Sequence, residues 1–191
     1  LNVPGVSVSI ISDKNIFYSK SFGIADANTE IQVDDNTMFE ACSMSKPVFA
    51  YLVLKLVEQG KLDLDKPLYD YLPEKFTCDD EEYPKQITAR MILSHTSGFP
   101  NWRKGSEENE SPLPIYFKPG TKFSYSGEGI YYLQRVVEHI TNESLESFAK
   151  RTLFDQLGLE STSFVWTEKY NQQIATGHND DGNCNERKKY L

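Results

Sequence analysis

The sequence predicts an α/β chain of the α+β kind, an N-terminal strand hairpin followed by a helical subdomain, on three observations. Val6, Val8 and Ile10 alternate with serines, the period of a strand with one apolar face. Two later stretches repeat apolar residues at helical spacing: Val48, Phe49, Leu52, Leu56 and Val57, and then Ile130, Leu133, Val136, Val137 and Ile140. The chain has 191 residues, 39% hydrophobic and 25% charged, enough to bury a sizeable core in a globular protein.

Each element has a local reason. Ser12-Asp13-Lys14-Asn15 has turn composition, and the apolar run from Ile16 to Phe22 ends at Gly23, which gives an antiparallel hairpin. A helix is predicted from Ser43, with Pro47 in its first turn, where a missing N–H costs nothing, and Gly60 as its stop. A short helix follows near Ala89 to Leu93. Gly98 to Gly120, rich in Pro, Gly and Glu, reads as a long loop. Leu145, Phe148, Ala149, Thr152 and Leu153 form one more helical face. Asn179 to Asn183 reads as a turn.

The chemistry starts at Ser43-Met44-Ser45-Lys46, where a hydroxyl and an amine share one helical face. Serine is a weak nucleophile until a base takes its proton, and lysine serves as that base only when neutral. The positive end of a helix dipole disfavours the ammonium form, and the Ser43 N–H is available to a developing oxyanion. The spacing alone is weak evidence, since a chain of this length holds about one Ser-x-x-Lys by chance. Ser147 to Lys150 is a second one, which reads as helix surface.

A second element is Phe123-Ser124-Tyr125-Ser126-Gly127, a small-residue loop running into a helix. Tyr125 there can exchange protons with Lys46 and serve a leaving group, because a phenol beside a cationic lysine is stabilised as phenolate. Ser126 and Trp102 are further candidates for binding substrate. For Trp102, as for Tyr116, packing is the plainer expectation.

With Phe39 to Lys46, Gly60 to Leu68, Tyr71-Leu72-Pro73, Ile87 to Phe99, Lys118 to Ser126 and Leu157 to Phe164 in this order, the chain resembles the serine beta-lactamase and penicillin-binding protein superfamily, in its class C-like, esterase-type branch. The resemblance implies a beta-lactamase/transpeptidase-like fold with Ser43 as acylated nucleophile, Lys46 as its base and Tyr125 as second proton carrier. It implies a small-molecule or peptide substrate bearing an ester, peptide or beta-lactam carbonyl, no cofactor, and a periplasmic or secreted setting. It divides residues 1–191 into strands and lead-in (1–42), nucleophile helix (43–60), helical subdomain (61–165) and return segment (166–191).

Two departures qualify it. Tyr125 is followed by Ser126-Gly127 where the lactamases have Tyr-x-Asn, which favours ester or peptide over lactam. The Lys-Thr-Gly or His-x-Gly strand does not follow Tyr125, and Lys118-Pro119-Gly120 precedes it with a proline that cannot donate. The expectation is a partial domain, truncated at both ends, that lacks the C-terminal sheet strands and has a missing C-terminal segment as partner. The alternative is a catalytically inactive fragment or binding module on the same scaffold.

Other classes fit poorly. A net charge of -8 opposes nucleic-acid binding, and no run is apolar enough to span a membrane. Acidic runs at Asp79 to Glu82 and at Glu107, Glu108 and Glu110 read as solvated surface. His95, His139 and His178 lack metal spacing, and His95 reads as bracing a loop before Gly98. Cys42, Cys78 and Cys184 cannot all pair within the chain, and Cys42 is expected to pack as a small apolar residue.

Overall fold

A computed structural model of the chain describes residues 3–103 and 111–185. Glu107, Glu108 and Glu110, part of the Gly98 to Gly120 stretch, and the C-terminal Lys188 to Leu191 lie outside the described residues. The described residues fall into two compact units, one within Leu1–Ser43 and Leu159–Leu191, the other within Met44–Gly158.

In the first unit, β1 (Gly5–Ser12) and β2 (Asn15–Asp26) form the expected antiparallel hairpin, and β3 (Ile31–Gln32) adds to the edge of β2. Asp13 and Lys14 both take positive φ, 50° and 65°, the backbone of a tight two-residue turn whose twist matches the strands. A register shift between Ile10 and Ile11 marks a bulge. Where the sequence ends the second strand at Gly23, the strand continues to Asp26. Gly23 instead permits a close approach, because at φ +72° a Cβ would lie 2.0 Å from the Pro4 carbonyl oxygen. Val6, Val8 and Ile10 stay at least 37% exposed.

The return segment joins this unit by backbone. Met38 N–H donates to the Gln173 carbonyl at 2.8 Å, Ala175 N–H to that of Met38 at 2.8 Å, and Thr176 N–H to that of Ala25 at 2.8 Å. Residues 179–183 form the expected turn, with the Asn179 side chain accepting from Asp181 and Asn183 N–H.

The second unit carries the buried core. Its α1 (Ser45–Glu58) buries Phe49, Leu52, Val53 and Leu56 and stops at Gly60, whose φ of +68° is the left-handed conformation of a helix end. Short β4 (Phe76–Thr77) pairs in parallel with β5 (Leu113–Pro114), inside the stretch read as loop. Next in the chain after β4 is α2 (Ala89–Leu93), capped by the Thr88 side chain. After β5 comes α3 (Gly127–Thr141), which buries Tyr132, Leu133, Val136 and Val137. Burying side chains of this size stabilises a fold by about 1.5–3 kcal/mol each. Phe99 and Phe76 stack at 5.9 Å, and the Tyr132 ring meets both edge-on, while its hydroxyl donates to the Leu72 carbonyl.

Then α4 (Leu145–Ala149) passes through a π turn at Lys150–Phe154 into α5 (Asp155–Leu157). Ser147 and Lys150 are exposed there, as expected of surface. So are Asp79 to Glu82.

Candidate active site

Cys42 takes φ +46°, an uncommon conformation for a residue with a side chain, and opens a single 3-10 turn (Cys42–Met44) that leads into α1. The helix therefore begins at Ser45, two residues later than the sequence reading placed it. Both starts suit Pro47, which is why the pattern did not separate them. Ser43 is exposed in this turn. Cys42 is exposed too, which corrects the expectation that it packs as a small apolar residue: the turned backbone keeps it out of any core.

Lys46 is the second residue of α1. Its Nζ lies 5.0 Å from the centroid of the Tyr125 ring, in cation–π range of the ring face. The structure thus brings together, within the second unit, the amine and the phenol that the sequence singled out 79 positions apart. Tyr125 is 39% exposed.

What holds Tyr125 is built from its neighbours. Ser126 is the N-cap of α3. Its Oγ accepts from Gly129 N–H at 2.8 Å and donates to the Pro100 carbonyl at 2.8 Å, and the residue is 1% exposed. Ser126 was expected to bind substrate. Its hydroxyl is buried and engaged as a helix cap. Trp102 is 65% exposed, so the packing expectation fails for it, as it does for Tyr116 at 68%. One edge of the Trp102 indole lies against Gly127, where a Cβ would come within 2.8 Å of the ring and of the Asn101 carbonyl. Only glycine lets the Asn101–Trp102 segment approach the start of α3 this closely.

That segment is tied down by charge as well. Gly127 and Glu128 N–H both donate to the Asn101 carbonyl, at 3.1 and 3.0 Å. The Glu128 side chain, 3% exposed, accepts from Arg103 N–H at 3.1 Å and pairs with the Arg103 guanidinium at 3.3 Å. A carboxylate in the first turn of α3 also sits at the favourable end of the helix dipole.

His95 was expected to brace the loop before Gly98. It braces a different one, 31 residues away: its Nδ1 accepts from Ser126 N–H at 3.2 Å, and its ring lies 4.5 Å from that of Tyr125. Burial first, and the charge of Lys46 second, hold its imidazole below the ordinary range. Sequence spacing carried no signal for this contact.

Among the described residues, no group of three His, Cys, Asp or Glu side chains is arranged to hold a metal ion, and no helix is long and apolar enough to cross a membrane.

Comparison with known proteins gives a concordant result. A family model described as Beta-lactamase matches residues 1–189. Penicillin-binding protein 4 of Amycolatopsis lactamdurans is 28% identical over 188 residues, covering 93% of this chain and 49% of that protein. Protein flp of Staphylococcus aureus (strain N315) is 24% identical over 190 residues, covering 93% of this chain and 38% of the relative. The octameric penicillin-binding protein homologue from Pyrococcus abyssi superposes with a TM-score of 0.79 at 26% identity, over 95% of this chain and 46% of that one. The chain thus spans half or less of the length of these relatives.

Proposed function

The chain belongs to the beta-lactamase family, and from that premise we propose that it carries the acylation half-site of a serine hydrolase that acts on ester, peptide or beta-lactam carbonyls. The observation that carries the proposal is the placement of Lys46 Nζ over the ring of Tyr125, on a helix that starts two residues after Ser43. A lysine amine and a phenol in one place form a proton-carrying pair, which an ordinary surface lysine does not.

In this reading the Lys46 amine takes the proton from Ser43 Oγ as that oxygen attacks the substrate carbonyl. The tetrahedral intermediate collapses when the bond to the leaving group breaks, and the leaving group departs with a proton delivered through Tyr125. A water molecule then attacks the Ser43 acyl ester, its proton returns to the same pair, and the free acid is released. The sum is one water consumed per acyl group transferred. The Ser43 N–H supplies one donor to the oxyanion. Trp102, exposed beside the start of α3, is the apolar surface offered to the acyl or leaving group. The Tyr125-Ser126-Gly127 sequence lacks the Asn side chain of the lactamases, which favours ester or peptide substrates over lactams.

The test is covalent labelling. A fluorophosphonate or a fluorescent penicillin is expected to modify Ser43, located by peptide mass mapping, and to leave Ser43→Ala unmodified. Absence of label, under conditions in which a serine beta-lactamase is labelled, would support a binding module that retains the scaffold without the chemistry.

A further inference from the structure

Tyr125 is gripped from both sides by a single residue. The backbone carbonyl of His95 accepts from Ser124 N–H at 2.8 Å, and the imidazole Nδ1 of the same residue accepts from Ser126 N–H at 3.2 Å. The residues before and after Tyr125 therefore hang from His95, one from its main chain and one from its side chain. The imidazole also lies against the phenol ring, with centroids 4.5 Å apart and planes tilted by 38°, while Phe123 closes edge-on over the imidazole at 5.9 Å. His95 can turn both acceptors toward one tripeptide because it follows α2 in the left-handed conformation, at φ +56°. That conformation is rare for a residue with a side chain and is tolerated best by Asn, Asp and His.

We infer that His95 is a positioning residue for the Lys46/Tyr125 pair: it brackets the Ser124–Ser126 segment so that the Tyr125 ring stays facing the Lys46 amine, and it does so only while its Nδ1 is unprotonated. The inference rests on the reading of Lys46 and Tyr125 as proton carriers. It adds a residue that touches neither substrate nor the reacting atoms.

The chemistry of the bracket is one-sided. An imidazole that accepts at Nδ1 carries its single proton on Nε2. Adding a second proton turns Nδ1 into a donor aimed at another donor, the Ser126 N–H, and the bracket opens. The groups that face the imidazole are Lys46 from α1 and Tyr125 with Phe123 from the loop. Burial first, and the charge of Lys46 second, oppose that second proton, so the bracket opens at a lower pH than that at which a free histidine becomes charged. Release of Tyr125 on acidification then separates the phenol from the amine, in addition to the loss of any base that becomes protonated.

Three substitutions separate positioning from simple structural support. His95→Asn places Oδ1 near the position of Nδ1 and suits a positive φ, so it keeps the bracket without a titratable ring. His95→Gln moves its acceptor further from the backbone, and His95→Ala removes it. The full chain is used, folding is checked by circular dichroism, and the rate of Ser43 labelling is followed from pH 5 to pH 9. The expected result is that Asn stays within about threefold of the parent at pH 8 and loses the part of the acid-side fall that comes from the opened bracket, whereas Gln and Ala fall by at least about tenfold in maximal rate with little change in half-saturation. Tyrosine ring carbon resonances, assigned with Tyr125→Phe, supply a readout independent of activity. The Tyr125 signal should shift between pH 8 and the lowest pH at which the parent stays folded, and hold still in His95→Asn.

The inference is overturned if His95→Gln labels at the parental rate, or if the Tyr125 resonance titrates alike in the parent and in His95→Asn. Should no variant label while the resonance behaves as described, the hydrolase reading fails and the positioning role stands.

Discussion

Lys46 Nζ faces the ring of Tyr125 at 5.0 Å from its centroid, so the ring plane and the phenol hydroxyl have separable roles. The face meets the amine, while in the proposed mechanism the hydroxyl carries the proton. Tyr125→Phe keeps the first and removes the second. It is expected to fold like the parent and to lose about 10²–10⁴-fold in the rate of Ser43 labelling, the usual share of a positioned acid or base. Tyr125→Ala should in addition lower stability by about 0.5–1 kcal/mol through loss of the cation–π contact. Equal labelling by the parent and Tyr125→Phe would remove the phenol from the mechanism.

Ser126 is a cap whose hydroxyl bonds twice, to Gly129 N–H and to the Pro100 carbonyl, at a position almost closed to water. Ser126→Ala leaves a buried N–H and a buried carbonyl without that partner. The expected cost is about 1–3 kcal/mol, read as a lower midpoint in urea unfolding with an unchanged slope. A substitution with no effect on the midpoint would restore Ser126 to the list of residues free to meet substrate.

In the first unit, Asp26 is the group that ties stability to acid. Thr176 Oγ1 donates to its carboxylate at 2.6 Å, and this bond does most to lower its pKa to about 2 from 3.8. Burial works the other way, and the N–H groups of Asn28 and Thr29 and the Cys184 thiol add to the lowering. A depressed carboxylate pKa means the folded state binds its proton later than the unfolded one. The stabilisation is therefore complete above 3.8 and disappears as pH falls from there through about 2. With solvent screening allowed for, it amounts to about 1–2 kcal/mol. Thr176→Val should flatten the dependence of unfolding free energy on pH in that window, and an unchanged slope would show that the bond is not formed in solution.

How much of this was written in local sequence depends on the range of the interaction. The hairpin and the stop of α1 at Gly60 were legible because a turn and a helix end are decided by a few adjacent residues. So was the pairing of Lys46 with Tyr125, through the resemblance of two short motifs. The start of α1 was missed by two residues because Pro47 suits either start. The extension of β2 past Gly23 was missed because a glycine that permits close approach to Pro4 looks, in sequence, like a glycine that ends a strand. Cys42, Trp102 and Tyr116 are apolar enough to predict burial, yet all three are exposed. The double grip of His95 on the residues around Tyr125 could not be read at all, since it joins positions 31 apart through a positive φ that no spacing encodes.

The remaining prediction concerns the buried pair of Arg103 and Glu128, whose side chains are only 9% and 3% exposed. Removing one charge from water costs several kcal/mol, and each member here offsets part of that cost for the other. Arg103 is further held by its donation to the Ser111 carbonyl at 2.6 Å, and Glu128 by the Arg103 N–H and the dipole of α3. Glu128→Leu should therefore cost about 3–5 kcal/mol, because it takes the carboxylate away from a guanidinium that is largely closed to solvent. Arg103→Met should cost a similar amount by stranding the carboxylate. The double variant replaces both charges with apolar groups of similar volume, and it should be less destabilised than the sum of the two single changes, by at least about 1 kcal/mol. Urea unfolding of the four proteins closes the cycle. Strict additivity would mean that the two side chains act independently in solution. The bonds from Gly127 and Glu128 N–H to the Asn101 carbonyl would then do more than the ion pair to hold the Asn101–Arg103 segment at the start of α3.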